Sequence, residues 1–168
     1  MTPAGLLTDA FDRILQSATA AVEDLTVEQL TTRVTPDANS IAWLVWHLAR
    51  VQDDHVADVA GTEQVWTAQD FVSRFDLPFD SSAIGYGMSS EEVGHVRADA
   101  GLLTDYVRAV HEATIAYVST LSPEDLDRVV DERWDPPVTL SVRLVSVISD
   151  DLQHAGQAAY VRGLLMSG

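Results

Sequence analysis

Apolar side chains recur at helical spacing along most of the chain. Leu6, Leu7, Ala10, Phe11, Ile14, Leu15, Ala18, Ala21, Val22 and Leu25 form one stripe, which predicts an amphipathic helix from about residue 4 to 24. Leu25-Thr26-Val27-Glu28-Gln29-Leu30 then reads as a short turn capped by Thr26. Pro36-Asp37-Ala38-Asn39-Ser40 breaks the chain, and Asn39 or Ser40 caps a second long helix reaching about Asp58. Its stripe is Ile41, Leu44, Val45, Leu48, Val51 and Val56. Ser89 and Glu92 have capping-box spacing. The third long helix follows to about Thr120, through Val93, Val96, Ala100, Leu103, Val107, Val110, Ala113, Tyr117 and Val118. Ser122-Pro123 marks another helix start, Pro136-Pro137 another break, and Thr139 caps a last helix to about Leu165.

Residues 60–88 are the least regular part, with Gly61, Pro78, Gly85 and Gly87 among Trp66, Phe71, Phe75, Phe79 and Tyr86. An apolar-rich connection of this length packs over something. Leu25–Val34 is weakly echoed by Leu121–Val130, each run following one helix and preceding another, so two helix pairs of similar design are one reading and two ordinary capped turns the other. The one extended piece expected is Val129–Asp135. The pattern predicts an all-α four-helix bundle, a single domain over residues 1–168, with 60–88 as a crossover between the second and third long helices.

Three polar residues interrupt the stripes. His47 lies among Leu44, Leu48 and Val51, while Asp150 and His154 are four apart on the last helix, on one face with Val147 and Val161. Residues at that spacing stand one above the other and can converge on one point. A carboxylate facing a bundle interior is costly unless it is paired or bound to a metal. Two imidazoles and a carboxylate form a three-ligand set with an open position, suited to zinc and also to nickel, iron(II) or manganese. The plain alternative is a hydrogen-bonded core histidine at His47 and a solvated Asp150, with Asp151 beside it. Arg50, three residues after His47, is either an ion-pair partner or an anion contact at the site mouth. His55 suits a helix C-terminus, with Asp53 and Asp54 as a possible outer carboxylate shell; His95 and His111 have no metal-like partner in sequence.

Composition narrows the classes. There is no cysteine, so a disulfide framework, a thiolate zinc site and a cysteine nucleophile are excluded. With 26 acidic residues against ten basic ones the net charge is −16, and all the basic residues are arginine. No basic stripe offers a footprint for nucleic acid or anionic lipid, and lysine chemistry is excluded. The start of the chain lacks the pattern of a signal peptide and no apolar run has the length of a membrane span, so a soluble cytoplasmic protein is expected. Arginine without lysine, with abundant Ala, Val and Asp, points to a high-GC bacterial source.

Trp43-Leu44-Val45-Trp46-His47-Leu48-Ala49-Arg50, followed by Gln52-Asp53-Asp54-His55, resembles the second helix of DinB-like proteins. His154-Ala155-Gly156-Gln157 resembles that family's closing motif, and Gly85-Tyr86-Gly87-Met88-Ser89 its Gly-rich loop. The resemblance implies a bundle that holds a divalent metal, zinc foremost, through His47, Asp150 and His154. A carboxylate at Asp150 is similar to the branch of mycothiol-dependent maleylpyruvate isomerases and mycothiol S-transferases. Many DinB-like proteins have histidine there, and that branch usually has the longer Glu. The chain as given has no counterpart of the isomerase's additional C-terminal domain, which points away from that reaction. The implied activity is metal-dependent transfer of a low-molecular-weight thiol, mycothiol before bacillithiol or glutathione, to a small electrophile, with Arg50 as a candidate contact for the cosubstrate. A non-catalytic ligand-binding bundle and a metal hydrolase using Asp54 or Asp151 as base are the alternatives. The resemblance also implies pairing of chains, and a homodimer is compatible with the charge in salt.

Overall fold

The start of each long helix is set by a side chain that accepts a hydrogen bond from its first turn. In the computed structural model, which describes residues 2–167, Thr2 caps α1 (Pro3–Val22) by accepting from the Gly5 amide. Thr26 and Gln29 form a capping box on α2 (Val27–Thr31), and Ser40 caps α3 (Ile41–Ala60). Gly61 ends α3 in the left-handed conformation. The segment expected to be least regular contains two one-turn helices, α4 (Val65–Ala68) and α5 (Phe71–Phe75), too short to show a period.

The third long helix is in fact two. The Ser89–Glu92 capping box opens α6 (Ser90–His95), the chain then runs extended, and Asp99 caps α7 (Ala100–Val118) by accepting from the Leu102 amide. Val96 and Ala98 point inward on that extended stretch, and Val96, three residues after Val93 and four before Ala100, keeps helical spacing across it, which hides the break in the pattern. After Ser122-Pro123 comes a single 3₁₀ turn, Glu124–Asp127. Strand β1 (Val129–Asp131) pairs antiparallel with β2 (Val138–Thr139), so the expected extended piece is half of a hairpin. Thr139 then caps α8 (Leu140–Met166).

Four helices make the bundle. Helix α1 packs on α7 and α8, and α3 packs on α8 and α7, so α1 and α3 sit on one diagonal. Every residue of α3 from Ile41 to Asp53 is buried, because the crossover covers the face that the other helices leave open. The polar residues sealed there find partners across the contact. Asp53 accepts from the Val65 and Trp66 amides at 2.8 Å each and from the Tyr106 hydroxyl at 2.9 Å, which pins the start of α4. Gln52 donates to the Thr114 hydroxyl at 2.8 Å.

The hairpin is tied to α8 through Asp131, which accepts from Arg133 at 2.7 Å and from Arg143 at 3.4 Å. Arg133, and then Arg143, hold its carboxyl well below the usual carboxylate range. A lowered native pKa contributes stability that is complete above the unfolded value, about pH 4, and is lost as pH falls below it. The Leu140 amide, bonded to the Arg128 carbonyl at 2.8 Å, should therefore lose hydrogen-exchange protection on acidification earlier than α1. Equal loss at both places would show that Asp131 is not the tie.

Candidate metal centre

His47 sits one and a half turns into α3, 2% exposed, with its ring stacked on Trp43 at 4.5 Å between centroids. Its Nδ1 meets the carbonyl oxygen of Ile84. Nδ1 is therefore the protonated nitrogen, and Nε2 keeps its lone pair for a ligand. Burial lowers the His47 pKa more than the Ile84 contact raises it, so the ring is neutral at neutral pH.

Residue 85 makes that contact possible. Gly85 has φ +107°, and a Cβ there would lie 2.3 Å from His47 Nδ1. The crossover thus approaches the imidazole as bare backbone.

The other two donors come from α8. His154 Nε2 is 3.7 Å from Asp150 Oδ1, and His154 Nδ1 lies 3.0 Å from Gln157 Oε1, which again leaves Nε2 as the free nitrogen. The His47 and His154 rings are 4.8 Å apart, and one donor atom from each of His47, Asp150 and His154 lies within 4.8 Å of the others. Asp150 Oδ2 is buried without a hydrogen-bond partner. Two imidazoles, each with a lone-pair nitrogen, and a carboxylate with one unpartnered oxygen, gathered in one place, fit a divalent cation. Tyr86, with 59% of its surface exposed, sets its ring edge against His47 at 5.2 Å and forms the outer wall.

Asp151 does something different from its neighbour. It falls on the buried seam of α8 with Leu144, Val147 and Ala155, is 0% exposed, and neither carboxylate oxygen has a partner. Burial drives its pKa well above the usual carboxylate range. It is outside the donor cluster, and its sealed position removes one of the two bases open to the hydrolase alternative. The other, Asp54, accepts from Gln64 at 2.8 Å.

Arg50 is fully buried. It donates to the carbonyls of Ala83 and Ser81 at 3.1 and 3.5 Å, to Gln64 at 2.8 Å and to Tyr106 at 3.3 Å, with Asp53 Oδ2 at 3.7 Å and the Trp66 ring beneath it. Of the two sequence alternatives, this geometry matches the ion-pair partner: Arg50 clamps the crossover and turns no face to solvent for an anionic cosubstrate. His111 pairs with Asp12 at 2.7 Å, His95 packs near Phe79, and His55 lies against Arg143; none of them joins the cluster.

The roles of Ile84, Gly85 and Gln157 were not assigned from the sequence. The only signals were the Gly85-Tyr86-Gly87 spacing and a glutamine three residues after His154, and neither says which imidazole nitrogen is being held.

A family model described as Mycothiol-S-transferase matches residues 6–167. A solved structure described as a conserved protein from Enterococcus faecalis superposes with a TM-score of 0.92 at 32% identity, covering 100% of this chain and 99% of that one. No curated protein matches the chain. Among the described residues no helix is long and apolar enough to cross a membrane.

Proposed function

The chain belongs to the mycothiol-S-transferase family, and from that premise we propose that it is a divalent-metal-dependent S-transferase that conjugates a low-molecular-weight thiol, mycothiol foremost, to a small electrophile. The observation that carries the reading is the convergence of His47, Asp150 and His154 with Asp150 Oδ2 left unpartnered. Neutral imidazoles with carboxylate suit zinc first, then nickel, iron(II) or manganese. When bound, such a cation would favour the thiolate over the thiol and leave a position open for the sulfur.

The residues of the chain do the rest. The Ile84 carbonyl and Gln157 fix both imidazoles in the tautomer that presents Nε2. Trp43 keeps the His47 ring from turning, and Tyr86 limits the approach to one side. Arg50 is a positioning residue, holding the Ser81–Ala83 backbone that carries Ile84 to the site. In the transfer the thiol gives up its proton and the sulfur lone pair forms a bond to the electrophilic carbon. The leaving group departs with its electron pair or, at a conjugate acceptor, the double-bond pair shifts to the neighbouring α carbon, which takes up a proton in place of the one the thiol gave up. A chain without cysteine cannot form the conjugate with a thiol of its own.

The test is metal analysis of the purified protein followed by conjugation of monobromobimane with mycothiol, bacillithiol and glutathione. About one divalent ion per chain is expected, with turnover fastest on mycothiol, abolished by chelation and restored by zinc. Metal-loaded protein without thiol-dependent turnover on any of the three would overturn the proposal.

A further inference from the structure

Between the second half of α3, α4 and α7 lies a cavity of about 510 Å³. Its side chains explain why it is there. Four alanines line it, Ala57 and Ala60 on α3 and Ala113 and Ala116 on α7. A side chain that stops at Cβ cannot reach across the space between two helices, so α3 and α7 pass here without interdigitating. The floor is apolar and buried, formed by Val56, Val65 and Val110. Two hydrogen bonds fix the separation of the helices: Gln52 donates to the Thr114 hydroxyl at 2.8 Å, and the Tyr117 hydroxyl donates to the Val59 carbonyl at 3.3 Å. Asp53 holds the third wall, α4, through the Val65 and Trp66 amides. The cavity is thus held open by the fold itself, as small-molecule sites between helices commonly are.

The inner polar groups of the lining are engaged with the protein. Both oxygens of Asp53 accept hydrogen bonds, Thr114 accepts from Gln52 and donates to the Val110 carbonyl at 2.9 Å, and Tyr117 accepts from Arg128 at 3.0 Å. An apolar body entering here therefore leaves no buried donor or acceptor without a partner, whereas a polar body would lose its own water for little return. Charge settles the rest. The lining carries two carboxylates, Asp53 and Glu63, and among the described residues no basic side chain. Asp53 is balanced by Arg50, 3.7 Å away. Arg128 stands outside the lining, with Asp125 near enough to offset it. Glu63, exposed at the mouth, is left as the charge without a basic partner.

We propose that this cavity is a binding site for a small organic cation with an apolar body, an aromatic or alicyclic ammonium. The body lies against the valines and alanines, and the charge sits at the mouth beside Glu63. The apolar contact supplies most of the affinity, because an exposed charge pair adds only about two- to fivefold. None of His47, Asp150 and His154 lines the cavity, and Ala57 is ten residues, about 15 Å, further along α3 than His47. The site stands independently of the S-transferase reading.

The experiment is an NMR titration of the metal-loaded full chain at about 0.15 M salt, with three probes that share one ring system: naphthylmethyl-trimethylammonium, naphthalenemethanol and naphthalenesulfonate. The quaternary ammonium has no lone pair for a metal. It should bind and shift resonances of Val56–Ala60 and Val110–Ala116, with the alcohol about two- to fivefold weaker and the sulfonate weaker again. Ala113 and Ala116 are exposed at the rim of α7, and leucine is a good helix former, so Ala113→Leu with Ala116→Leu should fold, as circular dichroism would confirm, while filling the gap. This double variant should weaken the ammonium and the alcohol at least tenfold. Glu63→Gln should bring the ammonium down to the level of the alcohol and leave the alcohol unchanged. No ammonium binding at these resonances, a sulfonate that binds as tightly, binding that survives the double substitution, or a preference for the cation that survives Glu63→Gln would overturn the site. Since no thiol enters the titration, absent thiol conjugation would count against the S-transferase reading and leave this result untouched.

Discussion

Replacing Gly85 by alanine is expected to unseat His47 and to cost both metal and stability. The added Cβ would come within 2.3 Å of a ring nitrogen that is buried and stacked on Trp43. The φ of +107° is itself a conformation that an L side chain rarely adopts. Backbone strain of this kind costs about 1–3 kcal/mol, and overpacking in a buried site adds about 1–3 kcal/mol. For a chain of this size each kcal/mol moves Tm by roughly 2–4 °C, so a fall on the order of 10 °C is expected. Relief by moving His47 away from the Ile84 carbonyl removes the contact that fixes its tautomer, and loss of such a support lowers metal affinity by about 10–100-fold. Gly87→Ala is the matched control. Gly87 also has a positive φ, +72°, but a Cβ there meets nothing within 4 Å. It should carry only a strain of about 1–2 kcal/mol and bind metal as the parent does. Calorimetry and a metal-competition titration on both variants decide the matter. A Gly85→Ala protein that holds metal like the parent would show that the crossover does not orient His47.

Replacing Asp151 by valine should have the opposite sign. The parent buries a carboxyl group completely, with neither oxygen bonded. An unsatisfied buried polar group costs about 1–3 kcal/mol, and Asp151 lies on the same seam as Leu144, Val147 and Ala155, where an apolar side chain fits the pattern. Asp151→Val is therefore expected to unfold at higher temperature than the parent, by roughly 2–4 °C for each kcal/mol gained. Asp151→Asn, which leaves an unpartnered amide in the same place, should gain less. A loss of stability in the valine variant would mean that the carboxyl makes a compensating contact and belongs to the function of the bundle. Asp150, one residue earlier on the helix, should respond in the reverse way: its removal takes a donor from the cluster without relieving the seam.

Much of the fold was legible from local patterns. The stripes of α1, α3 and α8 and the caps at Thr26, Ser40, Ser89 and Thr139 depend on periodicity and on hydrogen bonds that span three residues. Where such signals were short or mimicked, the reading failed. Helices α4 and α5 have one turn each, and Val96 kept helical spacing across a stretch that is extended. The hairpin appeared as one extended piece because β2 has only two residues and touches β1 across a turn.

Residue type, helical spacing and the family resemblance together named His47, Asp150 and His154, since i and i+4 on one helix already share a face. They could not bring α3 to α8, nor separate Asp150 from Asp151, because adjacent helical residues differ by about 100° and only the packing of α8 on α1 and α3 decides which one is sealed in the core. They left Arg50 open, because its hydrogen-bond partners lie 14 to 56 residues away along the chain and only its ion-pair partner, Asp53, is local. Local chemistry thus determined the helices and the donor types. Tertiary structure decided which nitrogen of His47 is free, which aspartate faces the donors, and which charges stand opposite one another, since each of these depends on a contact between segments that are distant in sequence.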